Sequence, residues 1–223
     1  FDRVDTANQV VEQDNGENTS SDLLPSFIAR YTFDDNFLFR LAYTETMRRP
    51  DFGSLNPYTT YSKGVTSVGT GTANSGNPGL KPVISKNLDL SFEYYFGEAN
   101  AIYATLFDRQ IEGLVVGSRT EIYYDYPDDV DADGNEIGEL LHILNRPDNS
   151  ANGKLKGFEL GVVYFPESLP GILDGFGIQA SYTSLDSSQD LPVYDQNDPT
   201  NPDPIDYDTV EMFGVSDESY SVV

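Results

Sequence analysis

The sequence predicts an all-β protein, a piece of antiparallel transmembrane β-barrel wall with long loops at one end. Three observations carry this. First, several stretches alternate with a period of two, the signature of strands whose successive side chains point to opposite faces. In Phe37–Pro50 the residues Phe37, Phe39, Leu41 and Tyr43 oppose Leu38, Arg40, Ala42 and Thr44. An Arg on the less apolar face excludes a dry core there, because a buried unpaired charge is very costly. An apolar face toward lipid and a polar face toward a wet interior satisfies both halves of the pattern. Second, the connections run short, long, short, long, short, long, which suits barrels with short turns at one rim and long loops at the other. Third, no run of 18 apolar residues exists to form a helical span.

Taken in order, residues 1–22 are polar and acidic and read as the end of an extracellular loop. Residues 23–33 alternate, with Phe27, Ala29, Tyr31 and Phe33 opposite Ser26, Ile28, Arg30 and Thr32. Asp34-Asp35-Asn36 then makes a tight turn, since Asp and Asn tolerate left-handed φ and bond nearby backbone. The Phe37 strand closes this hairpin. Residues 50–85, rich in Gly, Pro, Ser, Thr and Asn, read as a long loop. Asn87–Phe96 alternates most cleanly, with Leu88, Leu90, Phe92, Tyr94 and Phe96 opposite Asp89, Ser91, Glu93 and Tyr95. Residues 97–100 form a short turn. Residues 101–116 form a strand whose faces do not separate, since Ile102, Ala104 and Leu106 compete with Tyr103, Phe107 and Ile111. Residues 117–154 read as a second long loop holding its own hairpin around Asp133-Gly134-Asn135. Residues 155–165 and 176–185 are the fifth and sixth strands, joined by the modest turn 166–175. Residues 186–218 are a third, acidic loop, and 218–223 start another strand. The six barrel strands thus fall within 23–185. The Phe1 start and the strand-like end predict a piece of a longer chain.

The chain has 223 residues, 37 Asp and Glu against 13 Lys and Arg, and a net charge of -24. Nucleic-acid binding is excluded as a class, because phosphate contacts need basic residues. Cys is absent, so no disulfide or Cys-based zinc site can form. The mean hydropathy of -0.42 suits a barrel, where loops and half of each strand are polar. The 15 Tyr suit a membrane boundary, with rings in the apolar zone and hydroxyls in water. A single His leaves no material for a His-based metal or proton-relay site, and no nucleophile and base stand together, so no enzyme is expected.

Five motifs stand in order: Met47-Arg48-Arg49-Pro50-Asp51-Phe52; Leu55-Asn56-Pro57; Asn77-Pro78-Gly79-Leu80-Lys81-Pro82; Asn87–Phe96; and Lys156-Gly157-Phe158-Glu159-Leu160-Gly161. Together they resemble the later part of the barrel of TonB-dependent outer-membrane receptors, most like the Caulobacter and Xanthomonas type, over nearly the whole chain from Leu23. The family's plug domain and coupling box are not in this stretch. The resemblance implies about six strands of a 22-stranded barrel in the bacterial cell outer membrane. It implies import of a scarce nutrient, an oligosaccharide or a ferric siderophore, with the TonB complex, outer-membrane lipid and the small-molecule nutrient as partners. Acidic, aromatic loops fit sugar stacking better than anionic siderophores, which they would repel. The alternatives are a passive outer-membrane channel or adhesin barrel, and a secreted β-sandwich binding module.

Arg30, Arg40, Arg48, Asp89, Glu93 and Glu159 are expected to face the lumen, lining a substrate path or pairing across strands. Asn77, Pro78, Leu80, Lys81 and Pro82 either touch ligand or, more simply, form a structured loop return with prolines fixing the chain. Asp129-Val130-Asp131-Ala132-Asp133-Gly134-Asn135 matches the first half of a calcium loop, with oxygens at alternate positions before a Gly. Its twelfth position is Leu140, where a bidentate Glu is needed, so an acidic hairpin tip is the simpler reading. If the 125–139 loop holds calcium, the ligands are Asp129, Asp131, Asp133 and the Asn135 backbone. No other cofactor is expected.

Overall fold

The computed structural model of the chain describes residues 2–5, 9–13, 16–62, 69–130, 134–195, 198, 201 and 203–223. Among them twelve strands form one sheet: β1 Asp2–Asp5, β2 Gln9–Gln13, β3 Ser26–Thr32, β4 Phe37–Arg48, β5 Tyr58–Ser62, β6 Gly71–Ser75, β7 Val83–Phe96, β8 Asn100–Val130, β9 Glu136–Tyr164, β10 Ile178–Val193, β11 Asp206–Val210 and β12 Glu218–Val222. The sheet curls into a half-barrel. One 3₁₀ turn, Gly171–Leu173, interrupts the β9–β10 connection.

The wall runs β3-β4-β7-β8-β9-β10-β12, antiparallel throughout. Each of the six expected strands is present, and so is the strand beginning at Glu218. The first hairpin closes as its sequence demands: Asp34 Oδ1 accepts from Asn36 N–H at 2.8 Å and Phe37 N–H at 2.7 Å. Register places residues of one parity side by side across the wall. One row reads Tyr31, Phe39, Phe92, Ala104, Leu160, Tyr182, Tyr220. The rows on either side, Ala29-Leu41-Leu90-Leu106-Phe158 and Phe37-Tyr94-Ile102-Val162-Ala180, are equally apolar.

This settles the faces of β8. Ile102, Ala104 and Leu106 join the apolar rows, while Tyr103 and Phe107 lie on the polar face. Those two aromatics sit opposite Gly161 and Gly157 of β9. A Cβ at Gly161 would lie 2.0 Å from Tyr103 Cζ, so the ring occupies the space that a side chain would fill. Phe165 covers Gly177 in the same way near the short-turn rim.

The segments read as long loops are more ordered than expected. Residues 1–22 and 50–85 contribute β1, β2, β5 and β6. These extend the sheet in the order β1-β2-β5-β6-β9, with β6 parallel to β9 through Gly71↔His142 to Asn74↔Asn145. Residues 117–154 are the upper arms of β8 and β9, which stay paired beyond the wall, Tyr123 opposite Leu141 and Tyr124 opposite Leu140. The expected internal hairpin is therefore present, continuous with the wall strands. Residues 186–218 likewise contain the end of β10 and its partner β11.

Two bulges separate wall from arm. On β8, Gly113 at φ 71° is the extra residue before Leu114 pairs with Ala151. On β9, residues 149 and 150 are spanned before Asp148 pairs with Val116. One slip on each strand cancels the other, so pairing resumes in its original register.

Above the bulges the curled sheet closes on its own core. Val10 and Ala73 are fully buried, and Tyr61, Tyr124, Tyr126 and Leu144 pack with them. The Tyr61 and Tyr124 rings lie 4.2 Å apart and those of Tyr124 and Tyr126 4.8 Å. His142 is buried at the edge of this cluster, its ring lying over Gly71.

Candidate functional site

The polar face of the wall gathers most of the expected lumen residues. Arg30, Arg40, Ser91, Thr105, Glu159, Thr183 and Ser219 form one cross-strand row. Two arginines directly opposite repel, and the neighbouring row answers this charge: Arg40 pairs with Glu93 at 3.3 Å. Arg109 holds Asp89 with two bonds, 2.8 and 3.1 Å, the fork geometry that suits guanidinium and carboxylate. Tyr103 donates to Glu159 at 3.4 Å. Asn87 is buried and spends its amide on Thr44 and Thr46. Four of the six candidates, Arg40, Asp89, Glu93 and Glu159, are thus tied to neighbours within this sheet. Arg30 is exposed on the edge strand β3 and Arg48 exposed at the end of β4. Arg109 escaped the sequence reading because the faces of β8 were mixed.

The Asn77–Pro82 segment is built into the bulge. Asn149, freed from the ladder there, accepts from Lys81 N–H at 2.7 Å and donates to Lys81 O at 3.0 Å and Gly113 O at 2.7 Å. Asn77 donates to Pro147 O at 3.0 Å and accepts from Gly79 N–H at 2.9 Å. Asn18 donates to Leu80 O at 2.5 Å, and Leu80 is buried. Every named contact is backbone anchoring. Nothing in the sequence marked Asn149, since its partners lie 36 and 68 residues away.

Just before this, Asp51 accepts from the Ser54 N–H and hydroxyl, both at 2.9 Å. Those bonds hold its carboxyl below the usual carboxylate range.

His142 joins the strands above the bulges. Its Nδ1 lies 2.9 Å from Leu140 O and its Nε2 3.2 Å from Ser62 O, both atoms that can only accept. The Tyr126 hydroxyl lies 2.9 Å from Nε2 and donates to the same Ser62 O at 3.2 Å.

Asp131 and Asp133 of the calcium-like stretch lie outside the described residues, as does the Asp129 side chain. Asn135 is exposed beside Gly134, which has φ 85°. Among the described residues no three acidic or His side chains gather as metal ligands.

The comparisons with known proteins agree with this geometry. Residues 1–220 match the family model for the TonB dependent receptor-like β-barrel. No curated protein matches the sequence. Among solved structures, the siderophore receptor PirA from Acinetobacter baumannii is similar with a TM-score of 0.55 at 12% identity, covering 97% of this chain and 36% of that one. The ferric enterobactin receptor PfeA is similar with a TM-score of 0.51 at 19% identity, covering 75% of this chain and 25% of that one. The chain thus spans about a quarter to a third of these relatives, which share its fold. By its match over nearly all its length, the chain belongs to the TonB-dependent receptor β-barrel family.

Proposed function

We propose that this chain is part of the wall and extracellular surface of an outer-membrane transporter that imports a scarce nutrient, energised through TonB. The supporting observation is the division of one sheet into two faces. Three consecutive apolar rows suit lipid, and the opposite rows carry Arg40–Glu93 and Arg109–Asp89 pairs, which suit a wet lumen. Arg30, Arg40, Arg48, Asp89, Glu93 and Glu159 then face that lumen, and the β8–β9 arm with β1, β2, β5 and β6 stands outside the cell.

For cargo, the likeness to the ferric enterobactin receptor PfeA and the siderophore receptor PirA supports a ferric siderophore. The sugar-stacking argument weakens, because Tyr61, Tyr124 and Tyr126 are packed into a core. The net charge of -24 still favours a neutral oligosaccharide over an anionic chelate. Uptake by cells carrying the intact receptor tests both levels. Transporter function requires that accumulation of labelled cargo stop when the inner-membrane proton gradient is dissipated. Accumulation that continues would make the barrel a passive channel. Competition between ferric siderophores and oligosaccharides in the same assay assigns the cargo.

A further inference from the structure

The short-turn rim of the wall carries charge of one sign. Its turns 33–36, 97–100 and 165–177 hold Asp34, Asp35, Glu98, Glu167 and Asp174, and no Lys or Arg. Between the second and third of these turns lies a cavity of about 410 Å³, lined in part by Phe96, Gly97, Asn100, Tyr164, Glu167 and Ser168. Phe96, paired with Asn100, and Tyr164, paired with Ile178, continue the parity of the apolar rows. The cavity therefore belongs to the apolar face, at its border with the turns.

Asn100 is only 7% exposed. Its Oδ1 accepts from Phe165 N–H at 2.6 Å, which fixes the amide, while its Nδ2 has no acceptor among the described residues. A donor so enclosed gains from a ligand oxygen. A Cβ at Gly97 would lie 2.6 Å from Asn100 Nδ2 and 3.9 Å from Glu167 Oε1. The open space over Gly97 is thus flanked by an unused donor and by a carboxylate. Glu167 is exposed and has no ion-pair partner among the described residues. The rings of Phe96 and Tyr164 stack beside it, 6.4 Å apart, and aromatic faces attract cations. An amide donor and a hydroxyl suit a phosphodiester, and a carboxylate with aromatic faces suits an ammonium. Ile102 is two residues from Asn100, about 7 Å along the strand. There begins a groove of about 540 Å³, beside Tyr94, Ile102, Leu160, Val162 and Ala180.

We propose that this rim holds one ethanolamine phospholipid of the periplasmic leaflet. Its phosphate accepts from Asn100 Nδ2 and the Ser168 hydroxyl, its ammonium donates to Glu167, and an acyl chain lies in the groove. The proposal rests on the reading of this face as membrane-exposed. Charge chooses the occupant, because an acidic rim without Lys or Arg repels an anionic lipid and attracts a zwitterion through its cationic end. A choline headgroup has no N–H to give the carboxylate. Lipid retention by the purified intact receptor, measured by native mass spectrometry, tests this. The probes are phosphatidylethanolamine, phosphatidylcholine and phosphatidylglycerol with the same acyl chains.

Expected is selective retention of phosphatidylethanolamine, lowered about tenfold by Glu167→Gln, as loss of one charge-assisted contact implies. Glu167→Lys should shift the preference to phosphatidylglycerol. Ala180→Phe should lower retention of all three lipids by filling the groove. Equal retention of phosphatidylethanolamine by Glu167→Gln and the parent overturns the proposal, as does equal retention of the three lipids by the parent. Equal retention of phosphatidylcholine and phosphatidylethanolamine overturns the ethanolamine assignment. Undiminished retention in Ala180→Phe overturns the placing of the acyl chain. Cargo uptake is unchanged in Glu167→Gln, so a failure here is separable from failure of the transport reading.

Discussion

Single residues set the close approaches in this sheet. Gly161 leaves the space that the Tyr103 ring fills, and Tyr103 in turn reaches Glu159. Gly161→Val should therefore force the ring away and destabilise the receptor by roughly 1–3 kcal/mol, the usual cost of overpacking. Denaturation in detergent reads this, and adding Tyr103→Ala should recover part of the loss. Strict additivity of the two substitutions would show that they do not compete for that space. Asn149 is the other decisive residue. Asn149→Asp replaces a donor with an oxygen facing the carbonyls of Lys81 and Gly113, at a cost of about 1–3 kcal/mol for the lost and unmade bonds. Hydrogen exchange at the Lys81 amide should accelerate in that variant, because repulsion between the new oxygen and the Lys81 and Gly113 carbonyls draws the side chain away from that N–H. Unchanged protection would mean that another group holds the segment.

At the scale of elements, the alternation of β4, β7 and the lower parts of β9 and β10 was legible because lipid-facing strands need apolar residues at every second position. The faces of β8 were not, since the glycines that admit Tyr103 and Phe107 to the polar face belong to another strand. β5 and β6 escaped for a different reason. Tyr58-Thr-Thr-Tyr-Ser and Gly71-Thr-Ala-Asn-Ser are short and polar, with no apolar period to read. Their order comes from partners: Tyr61 and Ala73 are buried only because Val10, Tyr124 and Leu144 meet them. The Asn77–Pro82 motif was visible, but the double bulge that seats it depends on pairing between β8 and β9. The sheet above the bulges depends heavily on His142, which fills the space over Gly71 and meets Tyr126. His142→Ala should open a cavity there and cost about 2–5 kcal/mol of local stability. Limited proteolysis of intact cells should then cut within 58–75 and 117–150, while the heat-modifiable mobility of the barrel persists. Resistance equal to the parent would show that the sheet is held without the imidazole.

At the scale of the whole molecule, the wall ends at β3 and β12, and among the described residues each presents an unpaired edge with exposed apolar side chains, Phe27, Ile28 and Tyr31 on one, Tyr220 and Val222 on the other. Open edges are untenable in lipid, where every backbone group must find a partner. Residues 1–223 expressed alone should therefore aggregate rather than give a monodisperse, protease-resistant species in detergent. A folded monomer would require that the edges close on one another. The division of the sheet into lipid and lumen faces is tested most directly by spin labels along β7 of the intact receptor in a bilayer. The absence of Cys makes single labels in this stretch unambiguous. Labels at Leu90, Phe92 and Tyr94 should relax strongly with oxygen, and labels at Asp89, Ser91 and Glu93 with a water-soluble nickel chelate, alternating residue by residue. Equal nickel accessibility at both sets, or the reverse alternation, would contradict a transmembrane wall with its polar rows inward.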